Sequence, residues 1–200
     1  MIRRQPDRTS ELLFALAHDA GERVSFAEIL HGLRHRAFGF TLLLFALPCT
    51  LPMPPGIPTV CGIALALVAL NMLVGRQYLW LPRAITRRTV ERSDLRRIVA
   101  RVDPHLKRLE RICRPRIAAL TEGLGKQLIG AVVFVLGVLL ILPIPFLGNI
   151  PPAIATVVIA IGIAERDGAI VLIGLLCAAL AIALAAGAAW AVLHGIEGMF

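Results

Sequence analysis

Residues 51–58 read Leu51-Pro52-Met53-Pro54-Pro55-Gly56-Ile57-Pro58, and residues 142–151 read Leu142-Pro143-Ile144-Pro145-Phe146-Leu147-Gly148-Asn149-Ile150-Pro151. Both open Leu-Pro-x-Pro and pass through glycine to a further proline, the second with two extra residues. Proline lacks the backbone donor a helix needs and pushes the preceding residue out of the helical region. Glycine admits the positive φ that a tight reversal can require. Each stretch therefore reads as a break in a helical segment, and the pair reads as an internal repeat.

Working outward, each break divides an apolar block. The first block, 38–75, has Phe38 to Leu51 before its break and Thr59 to Gly75 after it. As helices these reach ~21 and ~26 Å. The second block, 127–164, has Gln127 to Leu142 and then Ala153 to Ala164, or ~24 and ~18 Å of helix. A bilayer core is ~30 Å thick, so none of the four spans it comfortably. Pro48 interrupts the first run further. Two readings stay open. The breaks lie at membrane depth and line a cavity, where non-helical backbone is tolerated. Alternatively, the blocks are short hairpins whose proline-rich turns sit at the far interface. Under either, Pro52, Pro54, Gly56, Pro58, Pro143, Pro145, Gly148, Asn149 and Pro151 are the candidate cavity or break residues.

The composition agrees with a membrane location. The 200-residue chain is 58% hydrophobic and 17% charged, with mean hydropathy +0.79. A soluble domain averages about 25% charged residues, and disorder needs low hydrophobicity. The net charge of +8 is concentrated in one place. Residues 76–126 carry fourteen basic and five acidic side chains, residues 1–37 carry six and five, and both apolar blocks carry none. A basic stretch between membrane segments is the pattern of a cytoplasmic loop, suited to anionic lipid headgroups. No nucleic-acid partner is expected, because the loop offers no aromatic stacking platform and no zinc-finger spacing.

Within the loop, residues 83–101 and 105–120 read as two amphipathic helices parted by Asp103-Pro104. Near the N-terminus, Ser25-Phe26-Ala27-Glu28 fits a capping box for a helix running to about Arg36. No cleavable signal is expected there. After the second block, Glu165-Arg166-Asp167-Gly168 is a charged turn. It reads either as a solvated, ion-paired connector or as a cap on a cavity lined by the two breaks. Ala169 to Leu193 then runs twenty-five residues without charge or proline, the one unambiguous transmembrane helix. Its small residues Ala179, Ala183 and Gly187 recur every four positions, a spacing that lets backbones approach closely. The stripe predicts either a homodimer interface or packing within the chain's own bundle.

Catalytic signals are missing. There is no HExxH, GxSxG or P-loop. His31 and His35 are spaced i, i+4 but lack companion ligands. The four cysteines form no CxxC, and Cys113 in the basic loop suits a reducing compartment. No metal or cofactor is expected. No carboxylate lies inside an apolar run, which weakens a proton-transport reading.

Arg36-Ala37-Phe38-Gly39, Ala46-Leu47-Pro48, Leu51-Pro52-Met53-Pro54-Pro55-Gly56, Leu142-Pro143-Ile144-Pro145 with Gly148-Asn149, and Ala164-Glu165-Arg166-Asp167-Gly168 together resemble the ExoD family of bacterial inner-membrane proteins. The resemblance covers roughly residues 10–195 and implies association with exopolysaccharide synthesis and alkali tolerance. It brings no catalytic residue. The broken hairpins are also similar in pattern to DedA-type proteins, a fold-level analogy only.

The expectation is an all-α, multi-pass protein of the bacterial inner membrane. Its parts are a cytoplasmic amphipathic segment (1–37), a first broken hairpin (38–75), a basic cytoplasmic helical loop (76–126), a second broken hairpin (127–164), and a charged turn with the C-terminal transmembrane helix (165–200). The expected role is non-enzymatic, in exopolysaccharide synthesis or envelope and alkali tolerance, handling an anionic lipid or lipid-linked carrier. The alternatives are an ion or proton transporter and a scaffold for a glycosyltransferase complex.

Overall fold

Prolines placed in the first turn of a helix do not break it, because the donors they remove have no intrahelical acceptor. That rule sets the helix boundaries. The computed structural model describes residues 23–25, 36–51, 56–76, 79, 89–91, 121, 123–142 and 148–197. Among the described residues five helices make up the body: α1 (Ala37–Cys49), α2 (Ile57–Leu73), α3 (Gly123–Ile141), α4 (Ile150–Ala164) and α5 (Gly168–Glu197). Pro58 is the second residue of α2, and Pro151 and Pro152 sit in the first turn of α4. The helices after each break therefore start earlier than the sequence reading placed them. α1 carries Pro48 inside its last turn and ends one residue later. α3 begins at Gly123, inside the segment read as basic loop.

Outside the helical body, β1 (Arg23–Ser25) pairs antiparallel with β2 (Thr89–Glu91), with Val24 opposite Val90. This corrects the reading of 83–101 as one continuous helix. Thr89 and Val90 are β-branched, and a partner strand 64 or more positions away in sequence is invisible to helical periodicity. Most of the rest of the loop, the remainder of the capping box, His31, His35, and the breaks at 52–55 and 143–147 lie outside the described residues.

The helices do not simply pair as sequential hairpins. α2 packs most extensively on α3, α1 packs on α4, and the sequential pairs α1–α2 and α3–α4 touch less. Glycines permit the cross-pairings. A Cβ on Gly39 would lie 2.6 Å from the Ala164 nitrogen and 2.7 Å from the Ala160 oxygen. A Cβ on Gly130 would lie 2.8 Å from the Leu73 nitrogen and 3.1 Å from the Ala69 oxygen. On the same seam, one on Gly62 would lie 2.8 Å from the Gly137 oxygen. Such positions admit backbone against backbone. Phe38, Leu42, Leu65, Met72, Leu136 and Ile159 fill the core between the pairs, all fully buried.

The correspondence between halves is positional. Gly39 and Gly130, Ala160 and Ala69, and Ala164 and Leu73 each stand 91 positions apart and make equivalent approaches. The helix ends match at the same spacing. After α2, Val74, Gly75 and Arg76 donate to the carbonyls of Leu70, Met72 and Asn71; after α4, Glu165, Arg166 and Asp167 donate to those of Ile161, Ile163 and Gly162. Gly75 (φ 73°) and Arg166 (φ 54°) occupy the same left-handed position in these two caps. The two extra residues of the second break are offset within α4, which has 15 residues where α2 has 17.

Candidate functional site

The cross-pairing sorts the polar features to two ends. One end holds the start of α1, the ends of α2 and α4, and the start of α3. There the Lys126 amine donates to the Arg76 carbonyl oxygen at 2.9 Å and sits 3.6 Å from the centroid of the Phe38 ring. That ammonium ties three elements together through a charge-assisted hydrogen bond and a cation–π contact. The charged turn lies at this same end. The Ala169 N–H donates to the Asp167 carboxylate at 3.0 Å, so Asp167, 4% exposed, caps α5. Glu165, Arg166 and Asp167 thus form a tight connector between α4 and α5. At the other end of α4 lies Gly148, which follows the second break.

The described residues on either side of the breaks, Leu51 and Gly56 and then Leu142 and Gly148, lie at that opposite end. Gly56 precedes α2 with φ 112°, and a Cβ there would meet nothing within 4 Å, so its requirement is purely conformational. Gly148 and Asn149 form the turn into α4. Asn149 makes no side-chain cap, and its Oδ1 is buried without a hydrogen-bond partner among the described residues. Pro58 and Pro151 are first-turn residues of their helices, whereas Pro52, Pro54, Pro143 and Pro145 lie outside the described residues. Between the two ends the buried hydroxyls are satisfied within their own helices. Thr41 donates to the Ala37 oxygen and Thr156 to the Pro152 oxygen, each at 2.7 Å. Asn71 likewise donates to the Leu67 oxygen at 2.8 Å. No three His, Cys, Asp or Glu side chains come together among the described residues.

Ala179, Ala183 and Gly187 are exposed on α5, and nothing lies within 4 Å of a Cβ on Gly187. The face of α5 that packs inward is another one: Val171, Gly174, Ala178 and Ala181, against α4. The stripe is therefore not the face of α5 that packs within the described bundle. The sequence reading missed Gly39, Gly62, Gly130, Gly137 and Lys126. The available signal was the 91-residue spacing of Gly39 and Gly130, the same offset that relates Leu51-Pro52 to Leu142-Pro143.

The family model described as "Exopolysaccharide synthesis, ExoD" matches residues 9–187, a stretch that contains both broken blocks and most of α5. The chain belongs to the ExoD family. Membership links it to exopolysaccharide synthesis. Protein ExoD of Rhizobium meliloti (strain 1021) is 31% identical over 160 residues, covering 78% of this chain and 66% of that protein. An uncharacterised protein, slr1875, of Synechocystis sp. (strain ATCC 27184 / PCC 6803 / Kazusa) is 36% identical over 154 residues, 76% of this chain and 72% of its own. No solved structure matches the chain.

Proposed function

We propose that this ExoD-family chain is a multi-pass protein of the bacterial cytoplasmic membrane. It handles an anionic lipid or lipid-linked carrier for exopolysaccharide synthesis, without catalysing a reaction itself. The observation that carries this reading is the mismatch of helix lengths. α1 and α4 pack together with 13 and 15 residues, while α5, packed on α4, has 30. At 1.5 Å per residue that is ~20 and ~22 Å against ~45 Å. A ~30 Å hydrocarbon core flanking the α1–α4 seam must thin to match it. Thinning shortens the apolar path a headgroup crosses, and the breaks mark its end. Two further features support a lipid setting. α3 and residues 168–191 of α5 are long and apolar enough to cross a membrane. Leu172, Leu176, Leu180 and Leu184 of α5 are exposed, which a core helix of a soluble protein does not allow.

Proteoliposomes holding a headgroup-labelled anionic lipid test the reading. We expect an impermeant quencher to reach the inner-leaflet label only when the protein is present, with no matching proton or sodium flux. Ion flux without lipid movement would favour the transporter instead.

The equivalent contacts 91 positions apart lead us to read the two blocks as repeats of the same orientation, related by an axis along the bundle. Both start and end at the Lys126 end. With the basic loop in the cytoplasm, the breaks and the C-terminal end of α5 face the other side. Cysteine introduced at Thr89 should resist an impermeant thiol reagent in intact spheroplasts, whereas one at Gly198 should react; labelling of both on one side overturns the arrangement.

The exposed stripe on α5 supports a homodimer through that helix. Gly187→Leu should convert a dimer to a monomer by size exclusion with light scattering. An unmodified protein that is monomeric in native nanodiscs removes the dimer.

A further inference from the structure

The helices are level at one end only. α5 starts at Gly168, directly after the charged turn that ends α4, at the Lys126 end. From there α4 and α5 run antiparallel. A Cβ on Gly162 would lie 2.8 Å from the Val171 nitrogen, and one on Gly174 would lie 2.8 Å from the Ile159 nitrogen. Both helices advance by the same three residues between these approaches. Asn149, ten residues before Ile159, is therefore level with Leu184, ten after Gly174. Gly39 of α1 faces Ala160 and Ala164, which puts Leu51 beside the start of α4. The equivalence of the halves puts Gly56 and Leu142 at that level too. α5 continues past it to Glu197, and residues 186–191 are exposed all round. Trp190, 65% exposed, stands ~9 Å beyond Leu184.

No flat membrane surface suits this shape. A surface level with Leu184 everywhere would leave Ala185 to Leu193, an apolar run without a charge, in water. A surface level with Trp190 everywhere would sink Gly56, Gly148 and Asn149 ~9 Å into hydrocarbon. Those residues need a polar medium. The Asn149 Oδ1 is buried with no hydrogen-bond partner among the described residues. The residue as a whole is only partly buried, so a rotation of its amide turns it to water or a headgroup. Neither α2 nor α4 has a side-chain N-cap for the N–H groups of its first turn. We propose that the leaflet at the break end meets α5 at Trp190 and dips to the level of Leu51, Gly56 and Asn149 over the other four helices. Headgroups and water, rather than hydrocarbon, then cover those residues. From Gly168 to Trp190 α5 rises ~33 Å, which matches the ~30 Å core, and an indole suits its boundary. The helix ends at the Lys126 end are level, so all of the thinning falls on one leaflet. The dip rests on the membrane setting proposed above, but not on lipid movement.

The test uses the full-length protein in nanodiscs whose lipids carry bromine either near the headgroup or near the chain ends. Tryptophan fluorescence is the readout, and iodide is the aqueous quencher. The Trp190 signal is the part lost in Trp190→Phe, and Leu51→Trp added to that variant reports on the break end. Both positions are exposed, so neither substitution disturbs the core. We expect shallow bromines to quench Trp190 more than deep ones. We expect the same order at position 51, with iodide quenching it at least as strongly as Trp190. If deep bromines quench the Leu51→Trp probe more than shallow ones and iodide does not reach it, the leaflet is flat over a sunken break end and the dip is wrong. A Trp190 signal that iodide quenches and no bromolipid does places the flat surface at the level of Leu184, which also overturns the dip. Bromolipids that quench neither position overturn the membrane setting and the dip with it. A dip found in a protein that moves no lipid in proteoliposomes counts against the proposed function alone.

Discussion

Gly39→Leu and Gly130→Leu should each cost the bundle at least about 3 kcal/mol, the upper end of what overpacking usually costs. For a chain of this size that is a fall in melting temperature of about 6–12 °C. The reason is the identity of the atoms in the way. A Cβ at Gly39 meets the backbone of Ala160 and Ala164, and one at Gly130 meets the backbone of Ala69 and Leu73. Backbone cannot rotate aside as a side chain can, so the two helices must move apart. The core holding Leu42, Val133 and Ile159 opens with them. Gly187→Leu adds the same side chain where no atom of its own chain lies within 4 Å, and should lower the melting temperature far less. Thermal melts of the three variants in one detergent decide the matter. A Gly39 variant that melts like the unmodified protein contradicts the α1–α4 seam. Unequal losses at Gly39 and Gly130 contradict the equivalence of the halves.

Gly56→Val should destabilise for the opposite reason. No atom lies within 4 Å of a Cβ there, yet the residue has φ 112°. A β-branched side chain is strained in that region by about 1–3 kcal/mol wherever it points. Either the strain persists, or the residue relaxes and α2 enters the bundle at a different angle. We expect a lower melting temperature together with reduced lipid movement in proteoliposomes, since the first break is reshaped. Gly56→D-Ala, made by semisynthesis, adds the same Cβ with the opposite chirality and should restore both. A valine variant with unchanged melting and unchanged lipid movement removes Gly56 from any role in the break.

Much of the helical plan was legible along the chain. The two charge-free blocks, the proline and glycine breaks and the long apolar C-terminal run mark the five helices, because each signal is local. Boundaries slipped where prolines were read as breakers at 58, 151 and 152. The same residue that ends one helix is harmless in the first turn of the next. β2 was hidden because three residues cannot show a period, and their partner is in the N-terminal segment. At the candidate site, the break glycines were identifiable by type, but their separate requirements were not. Gly39 needs space and Gly56 needs a backbone angle, and the same letter stands for both.

The sequence by itself determined the class, the family and the number of apolar segments, since these depend on composition and on the order of short motifs. It also held the 91-residue offset of its two halves, in Leu51-Pro52 against Leu142-Pro143. Only the tertiary structure decided which helices are partners. α1 chooses α4 and α2 chooses α3 because Gly39, Gly62, Gly130 and Gly137 let those backbones close, and a close approach is a property of two surfaces together. That choice puts the described flanks of both breaks at one end and the charged turn at the other, and it leaves the small-residue stripe of α5 exposed. It also brings Lys126 onto Arg76 and Phe38, fifty and more positions distant, a contact no local pattern encodes.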